Sequence, residues 1–137
     1  MIIAEFNIAL AGESENMQLD PATVRAGVEA LLSDSGKGTY FVAEIGEEVV
    51  GQVLITYEWS DWRNGNFWWL QSVYVEKSAR GKGVFKSLYA HVVTEAKKAG
   101  NVCGVRLYVE THNVTAQKSY VSLGMKKSNY EFFERLF

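Results

Sequence analysis

The segment from Phe67 to Gly100 decides the fold, and it has three parts. Residues 67–75 read Phe-Trp-Trp-Leu-Gln-Ser-Val-Tyr-Val, and this aromatic and β-branched composition predicts a strand. Residues 76–83 read Glu-Lys-Ser-Ala-Arg-Gly-Lys-Gly and predict a loop. Residues 84–99 predict an amphipathic helix, because apolar side chains recur at steps of four from Val84 and Gly100 follows its basic last turn. The segment is therefore a strand, a short basic loop and a helix.

The loop has the composition of an anion site. Gly81 and Gly83 can adopt positive φ, and they let an anion approach the backbone without meeting a Cβ. The first turn of the following helix offers N–H groups without intrahelical partners, and the helix dipole adds partial positive charge. Arg80, Lys82 and Lys86 supply mobile positive charge nearby. The alternative is a glycine-containing turn with solvated basic residues, and the loop alone leaves both interpretations open.

Two other phosphate-binding loops do not fit the sequence. A Walker A loop requires a glycine at the position of Glu76 and a Ser or Thr directly after the lysine, but Gly83 follows Lys82. A dinucleotide-binding fingerprint requires a third glycine where Lys86 stands.

The composition predicts a single globular domain over residues 1–137. The net charge of −2 and the absence of a long basic run give no reason to expect nucleic acid. No stretch is apolar enough for a signal peptide or a membrane span, so a cytoplasmic protein with no membrane association is expected. One cysteine, Cys103, and two histidines leave little for a metal site, and none is expected. Cys103 precedes a predicted strand and is expected to be buried.

Other elements follow from local patterns. Asp20-Pro21 is a helix start, Gly51 indicates a bulge or a close backbone approach in its strand, and Asn64-Gly65 predicts a hairpin. The strand after the long helix should run parallel to strand 67–75, since a helix connects them. The predicted strands cover residues 2–6, 40–45, 49–57, 67–75, 105–109 and 130–137. The predicted helices cover residues 8–18, 84–99 and 113–123, and a further helix begins at Pro21 and ends before Gly36.

Two motifs resemble the GCN5-related N-acetyltransferases. Residues 80–85, Arg-Gly-Lys-Gly-Val-Phe, are similar to the family's acetyl-CoA pyrophosphate loop, Gln/Arg-x-x-Gly-x-Gly/Ala, with Phe85 in place of the last small residue. Residues 113–125 are similar to the family pattern Asn-x-x-Ala-x-x-x-Tyr-x-x-x-Gly-Phe, with Met125 in place of Phe. The resemblance implies an α/β fold: a mixed, mostly antiparallel sheet with a splayed parallel pair of strands and helices on both faces.

The resemblance also implies how acetyl-CoA is held. The splayed strands leave backbone groups for the pantetheine amides, and the basic loop receives the pyrophosphate. Asn113 can bind the pantetheine, cap its own helix, or do both. The implied cofactor-binding residues are Val73, Tyr74, Val75, Arg80, Gly81, Lys82, Gly83, Val84, Phe85, Lys86 and Asn113.

The resemblance identifies the catalytic residues less completely than the cofactor-binding residues. By resemblance Tyr120 donates a proton to the departing CoA thiolate, although a tyrosine on an amphipathic helix can also be a packing residue. Many relatives carry a carboxylate where this chain has Gln71 and Ser72, and neither side chain is a useful base. The remaining candidates for the base are Glu110 and Glu58. Glu110 is preferred as the base, with Glu58 in acceptor binding.

The acceptor site is inferred from residues 56–62, Thr-Tyr-Glu-Trp-Ser-Asp-Trp, which resemble a segment of polyamine acetyltransferases. Glu58, Trp59 and Trp62 would hold a cationic amine, since an ammonium is bound well between an aromatic face and a carboxylate. The alternative is that these aromatic side chains pack on the sheet or on a partner chain. Glu13 and Glu15 form either a solvated helix face or an acidic rim for such an amine.

The sequence therefore predicts an acetyl-CoA-dependent N-acetyltransferase of a small primary amine that acts by direct transfer in a ternary complex. A binding module that senses acetyl-CoA or CoA with little turnover is the alternative, motivated by the missing carboxylate at Gln71 and Ser72. A homodimer that uses the tryptophan cluster as its interface is compatible with catalysis.

Overall fold

The computed structural model describes residues 1–137, and the chain divides into two compact units, residues 1–107 and residues 108–137. The first unit contains helices α1 (Ile2–Ser14) and α2 (Pro21–Leu32), strands β1 (Thr39–Ile45), β2 (Glu48–Ser60) and β3 (Gly65–Val75), a single 3₁₀ turn (Lys77–Ala79), helix α3 (Val84–Ala99) and strand β4 (Val102–Arg106). The second unit contains helix α4 (Val114–Ser122). No helix combines the length and the apolar composition that a membrane span requires.

The sheet has the order β1-β2-β3-β4 and is mixed. Two hairpins make β1, β2 and β3 antiparallel, and the predicted turn at Asn64-Gly65 joins the second of them. Strand β4 returns parallel to β3 after helix α3, which confirms the predicted parallel pair. The mixed α/β fold expected from the sequence is confirmed.

Helices lie on both faces of this sheet. Helix α3 buries the predicted stripe of Val84, Leu88, Val92 and Ala96, and the first three pack in one cluster with Val53, Ile55 and Leu70 of the sheet. The adjacent residue in β2, Gln52, points the other way and is hydrogen-bonded to Asn7 of helix α1. Because neighbouring strand residues point to opposite faces, α1 and α3 cover opposite sides of the sheet.

Gly51 is required where β2 passes under α3. A Cβ at this position would lie 2.9 Å from the Val84 side chain and 3.2 Å from the carbonyl oxygen of Tyr74. The register with β1 also shifts here, since Ala43 pairs with Gly51 and Glu44 pairs with Val49. Both predicted features of Gly51, a bulge and a close backbone approach, are therefore confirmed.

The first predicted strand, residues 2–6, is wrong: this segment begins helix α1, which ends at Ser14 and not at residue 18. The β-branched pair Ile2-Ile3 favoured a strand, but the apolar run continues through Ala4, Ala9 and Ala11 for too long to be one. The helix buries Ala4, Phe6 and Ala11.

The strand after α3 also differs from its prediction. It spans Val102–Arg106 and not residues 105–109, so Cys103 lies within it. The prediction of a buried Cys103 is wrong: the side chain is exposed, and its Sγ lies 3.4 Å from the carbonyl oxygen of Asn66. An edge strand leaves alternate side chains near solvent, which explains the exposure.

In the second unit, the predicted helix after Asn113 is confirmed. The Asn113 side chain accepts a hydrogen bond from the N–H of Ala116 at 3.2 Å, as an N-cap does, and Gly124 follows the helix with φ +94°. The predicted strand at residues 130–137 is wrong for this structure, in which no residue after Arg106 belongs to a strand. Within this unit, the rings of Tyr108 and Phe132 stack with centroids 5.4 Å apart.

Candidate functional site

The parallel strands β3 and β4 pair over only part of their length. Their register runs from Asn66 opposite Val102 to Trp69 opposite Arg106, and β3 then continues alone to Val75. Residues 70–75 thus have a strand partner only on the β2 side, where Gly51 pairs with Val75. An unpaired strand edge presents N–H and C=O groups that an extended ligand can bind. Val73, Tyr74 and Val75, predicted to contact pantetheine, lie on this edge.

A β-bulge interrupts β3 at the same place. Leu54 pairs with Gln71 and Gln52 pairs with Tyr74, so two residues of β3, Ser72 and Val73, oppose the single residue Val53. Ser72 has φ +48°, in the left-handed region that non-glycine residues rarely occupy. Such strained conformations persist only where surrounding contacts hold them.

Gln52 provides one of these contacts. Its side chain is fully buried, and its Nε2 donates hydrogen bonds to the carbonyl oxygen of Ser72 at 3.2 Å and to Oδ1 of Asn7 at 2.7 Å. Asn7 in turn donates to the Tyr40 hydroxyl. Because a trans peptide directs its C=O and N–H oppositely, the contact at Ser72 O also fixes the direction of the Val73 N–H. Gln52 Oε1 is buried without a hydrogen-bond partner. Sequence reasoning missed Gln52, and its position beside the bulge-forming Gly51 was the available signal.

The glycines of the basic loop have the conformations that the sequence predicted. Gly81 and Gly83 have φ +78° and +77°, and a Cβ built at either would meet no atom within 4 Å. Gly83 is the N-cap of α3, and no side chain caps the first turn of that helix. The N–H groups at the start of α3 thus face an open space beside two glycines, a geometry that suits an anion.

The charges around the loop are divided into two groups. Arg80 Nη2 donates to Glu13 Oε2 at 2.7 Å, and Lys77 Nζ lies 3.5 Å from Glu13 Oε1. Lys82 and Lys86, in contrast, form no ion pair and are exposed. The two lysines therefore carry the positive charge of the loop that no carboxylate neutralises.

Glu13 joins helix α1 to the loop. The hydrogen bond from Arg80 holds the pKa of the Glu13 carboxyl below its usual range, and the same contact raises the pKa of Arg80. Burial raises the pKa of Tyr74, whose hydroxyl donates to Glu13 Oε1 at 3.1 Å. Arg80 Nε also donates to the carbonyl oxygen of Val75 at 2.9 Å. The sequence left two roles open for Glu13, a solvated helix face or a free acidic rim. The structure supports neither role, because Arg80, Tyr74 and Lys77 all contact its carboxylate.

A cleft lies between α1 and the end of β3. It has a volume of about 560 Å³ and is lined by side chains that include Leu10, Glu13, Tyr74, Lys77 and Arg80, together with Val73 and Val75. The end of β3 and the Lys77 and Arg80 side chains therefore line the same cleft, whereas Gly81 and Gly83 do not line it. Phe85, in place of the usual small residue, is half-buried, and its ring centroid lies 6.3 Å from that of Tyr89.

The predicted acceptor residues are separated by the pleat of β2. Glu58 Oε1 accepts hydrogen bonds from Trp69 Nε1 at 2.8 Å and from Arg106 Nη1 at 3.0 Å. The Trp69 bond is the main cause that lowers the pKa of Glu58. Trp59 is the next residue of the strand, so its side chain lies on the opposite face. The structure does not bring Glu58 and Trp59 together as one cation site.

Trp62 and two nearby arginines also do not form the cation site that the sequence predicted at this end of the sheet. Trp62 lies in the turn after β2 and is 84% exposed. The guanidinium of Arg106 stacks over the Phe67 ring at 3.5 Å, and that of Arg63 lies 5.1 Å from the same ring. Arg106 was missed because it is 48 residues from Glu58 in sequence. A cationic acceptor would meet two guanidiniums here beside one neutralised carboxylate.

The predicted catalytic residues lie in the second unit. Tyr120 is on α4, and burial raises the pKa of its phenol, so the hydroxyl keeps its proton at neutral pH. Glu110 is exposed in the turn before α4, where its carboxylate accepts a hydrogen bond from the N–H of His112 at 2.7 Å. No group of three or more His, Cys, Asp or Glu side chains is arranged to hold a metal ion.

Comparisons with known proteins agree with this geometry. Residues 9–125 match the family model described as acetyltransferase (GNAT) family. The crystal structure of a possible acetyltransferase from Clostridium difficile 630 is 46% identical, with a TM-score of 0.93 over 99% of this chain and 90% of that chain. No curated protein sequence matches at a significant level.

Two more distant structures share the fold alone. A transcriptional regulator from Bacillus halodurans C-125 is 20% identical, with a TM-score of 0.82 over 98% of this chain and 93% of that chain. The enzyme AAC(6')-Iy, in complex with the bisubstrate analog CoA-S-monomethyl-acetylneamine, is 19% identical, with a TM-score of 0.77 over 99% of this chain and 92% of that chain.

Proposed function

Because the chain belongs to the GNAT acetyltransferase family, we propose that it transfers the acetyl group of acetyl-CoA directly to a primary amine of a small molecule, within a ternary complex. The single observation that carries the proposal is that pairing of β3 with β4 ends at Trp69 and Arg106, which leaves the edge of residues 70–75 open beside the glycine loop. Together they offer an unpaired strand edge for amide groups and a helix N-terminus for phosphate oxygens.

Acetyl-CoA, the acetyl donor, is held by backbone groups more than by side chains. The N–H groups of Val84, Phe85 and Lys86 begin α3, where the macrodipole favours an anion, and Lys82 and Lys86 add unneutralised positive charge. Arg80 contributes mainly by fixing the loop, because its guanidinium already bonds Glu13 and the Val75 carbonyl. The edge formed by residues 73–75 pairs with the amide groups of pantetheine.

The bulge supplies the electrostatic part of catalysis. In thioester aminolysis a C–N bond forms, the C–S bond breaks, and negative charge develops on the carbonyl oxygen before it passes to sulfur. A backbone N–H fixed in advance stabilises that charge without reorganising during the reaction. The Val73 N–H is fixed in this way, since Gln52 holds the adjoining carbonyl of Ser72.

Proton movements are assigned to Tyr120 and Glu110. The raised pKa of Tyr120 keeps a proton available for the departing thiolate. Glu110 takes the proton lost by the amine, directly or through water. Glu58 suits that role less well, because its two donors favour the ionised form and weaken it as a base. Glu58 would instead border the acceptor, whereas Trp59 lies on the other face of β2. Asn113 would contact pantetheine while it caps α4.

The proposal is tested by incubating the purified protein with acetyl-CoA and a panel of primary amines, with release of free thiol as the signal. Turnover on at least one amine is expected, with a KM for acetyl-CoA that agrees with its calorimetric Kd. CoA binding with no turnover on any amine would contradict the enzyme and support a sensor module. The absence of CoA binding would contradict both functions.

A further inference from the structure

One carbonyl on the open edge of β3 is already occupied by a side chain. The N–H of Glu76 donates to the carbonyl oxygen of Val50 in β2 at 2.8 Å. A trans peptide directs its C=O opposite to its N–H, so the Val75 carbonyl points away from β2, toward the edge that β4 leaves open. There it accepts a hydrogen bond from Arg80 Nε at 2.9 Å. The last carbonyl of this strand edge is therefore capped from within the molecule.

Contacts with helix α1 and strand β3 hold Arg80 in this position. Its Nη2 donates to Oε2 of Glu13 on α1 at 2.7 Å, and its guanidinium carbon lies 5.5 Å from the centroid of the Tyr74 ring. Glu13 is itself held, because its Oε1 accepts a hydrogen bond from the Tyr74 hydroxyl at 3.1 Å. A guanidinium presents its donors in a rigid planar fork, so one arginine can bond two acceptors at once. Glu13 and Val75 together therefore fix the orientation of the Arg80 guanidinium.

The cap lies where an extended ligand would meet the strand edge. Glu13, Val75 and Arg80 all line the cleft between α1 and the end of β3. Hydrogen-bonding groups on a strand edge repeat every two residues, so a ligand that pairs with the edge can slip by that repeat, which is about 7 Å. Because Arg80 occupies the Val75 carbonyl, a ligand cannot use the register that requires this acceptor.

We propose that Arg80 and Glu13 are positioning residues that set the register of the acetyl donor on β3, an inference that rests on the proposed function. The pantetheine amides pair with the edge groups nearer the bulge, and the thioester carbonyl is left at the Val73 N–H. Glu13 acts through Arg80, since it keeps the guanidinium across the edge and neutralises its charge. The phosphate groups are left to the two loop lysines and the start of α3.

The test is the kinetics of Arg80→Lys with two donors, acetyl-CoA and S-acetylpantetheine, and an amine that the wild type acetylates. Lysine keeps the positive charge, but its single nitrogen cannot occupy the positions of both Nε and Nη2. Because the thioester would be misplaced, kcat is expected to fall by about tenfold with both donors, while the calorimetric Kd for CoA stays within about threefold. Arg25→Lys, exposed on α2, is the matched control and should leave kcat and Kd unchanged.

The donor without a pyrophosphate separates positioning from phosphate binding. If Arg80 bound the phosphates, the loss in Arg80→Lys would be confined to acetyl-CoA, and that result would overturn the proposal. A wild-type kcat with both donors would overturn it as well. Failure of the proposed function has a different signature, because the wild type itself would then acetylate no amine, and both the function and the positioning role would be abandoned.

Glu13→Gln is a milder second variant, since an amide oxygen still accepts a hydrogen bond from Arg80 and only the charge is lost. Its kcat should fall by less than about threefold. The double variant Glu13→Gln/Arg80→Lys should be no slower than Arg80→Lys alone, because both substitutions act through the same guanidinium. A double variant whose loss equals the product of the two single losses would show that Glu13 acts independently of Arg80 and would overturn its assigned role.

Discussion

The basic loop before α3 and the outer end of the β2–β3 hairpin are both candidate binding surfaces, but they are built from different parts of the chain. The loop is made of backbone: two left-handed glycines, an uncapped helix start and a strand edge. The hairpin end is made of side chains, and the carboxylate of Glu58 is already bonded to Trp69 and Arg106.

This difference explains why the sequence describes one surface better than the other. Glycine conformation and helix polarity are local properties, so a short motif predicts them. Whether a carboxylate is available depends on side chains that approach from distant strands. A motif therefore indicates the geometry of the loop, while the proposed acceptor surface must be examined in three dimensions. Substitutions in both regions, and in α4, can test this contrast.

The largest effect is expected for Tyr120→Phe, which removes a hydroxyl and leaves the ring. If the phenol protonates the departing thiolate, kcat should fall by about 100-fold or more, the usual range for loss of a general acid. The Kd for acetyl-CoA should remain within a factor of about two, since the proposed contacts with acetyl-CoA are mainly with backbone groups. Steady-state kinetics and calorimetry separate the two quantities. An unchanged kcat would leave Tyr120 as a packing residue only.

Gly83→Val should weaken CoA binding by about 10- to 100-fold. A β-branched residue at φ +77° costs on the order of 1–3 kcal/mol, and relief of that strain would turn the first N–H groups of α3 away from the anion. Gly27→Ala is the control, since Gly27 lies within α2 with nothing near its Cβ position. It should bind CoA as wild type does. Equal CoA affinity for Gly83→Val, with the fold confirmed by circular dichroism, would refute the anion cradle.

Much of the fold could be predicted because its elements are decided locally. The stripe on α3, the Asp20 cap of α2 and the Asn64-Gly65 turn each depend on a few neighbouring residues, and all three are present. The errors at the two termini have different causes. At residues 2–6 the β-branched pair was outweighed by a helix-favouring continuation, whereas residues 130–137 have the composition of a strand and do not form one.

The candidate site was predicted unevenly for the same reason. The glycine conformations and the open edge of residues 73–75 follow from the motif and the parallel crossover. Gln52 and Asn7 could not be identified, and the ion pair of Glu13 with Arg80 was not foreseen, because these contacts span 20 to 67 residues of sequence. Such contacts depend on register and helix placement, which local patterns do not determine.

Gln52→Met tests whether the bulge is positioned by a side chain. The substitution keeps the volume and removes the donor to Ser72 O, so kcat should fall by about tenfold while the Kd for CoA changes little. Thr56→Val is the matched control: it removes the hydrogen bond from Gln71 on the same sheet face without touching the bulge. Gln52→Met loses two hydrogen bonds and Thr56→Val loses one, each worth about 1 kcal/mol of stability. Equal losses of kcat in the two variants would mean that Gln52 has only a structural role.

Glu58→Gln is expected to have a small effect, in contrast to the loop variant. An amide still accepts from Trp69, and a partly exposed pair such as Glu58–Arg106 contributes at most about 1 kcal/mol. The KM for amines should therefore change by less than about threefold. Glu44→Gln, on β1, is the control for the loss of one negative charge. A KM that rises tenfold or more for polyamines alone would restore Glu58 as a specific ligand of a cationic acceptor.

The smallest effect is expected from Glu13, and it should depend on pH. Arg80 lowers the pKa of this carboxyl in the folded protein, so the unfolded chain binds more protons near the usual pKa of glutamate. The contribution to stability is therefore complete above that usual value and is lost as the pH falls through the lower, folded value. The slope of Tm against pH in this acidic window should decrease in Glu13→Gln and persist in Glu15→Gln, whose native carboxylate forms no ion pair. Identical slopes in wild type and Glu13→Gln would mean that the contact with Arg80 does not join α1 to the loop in solution.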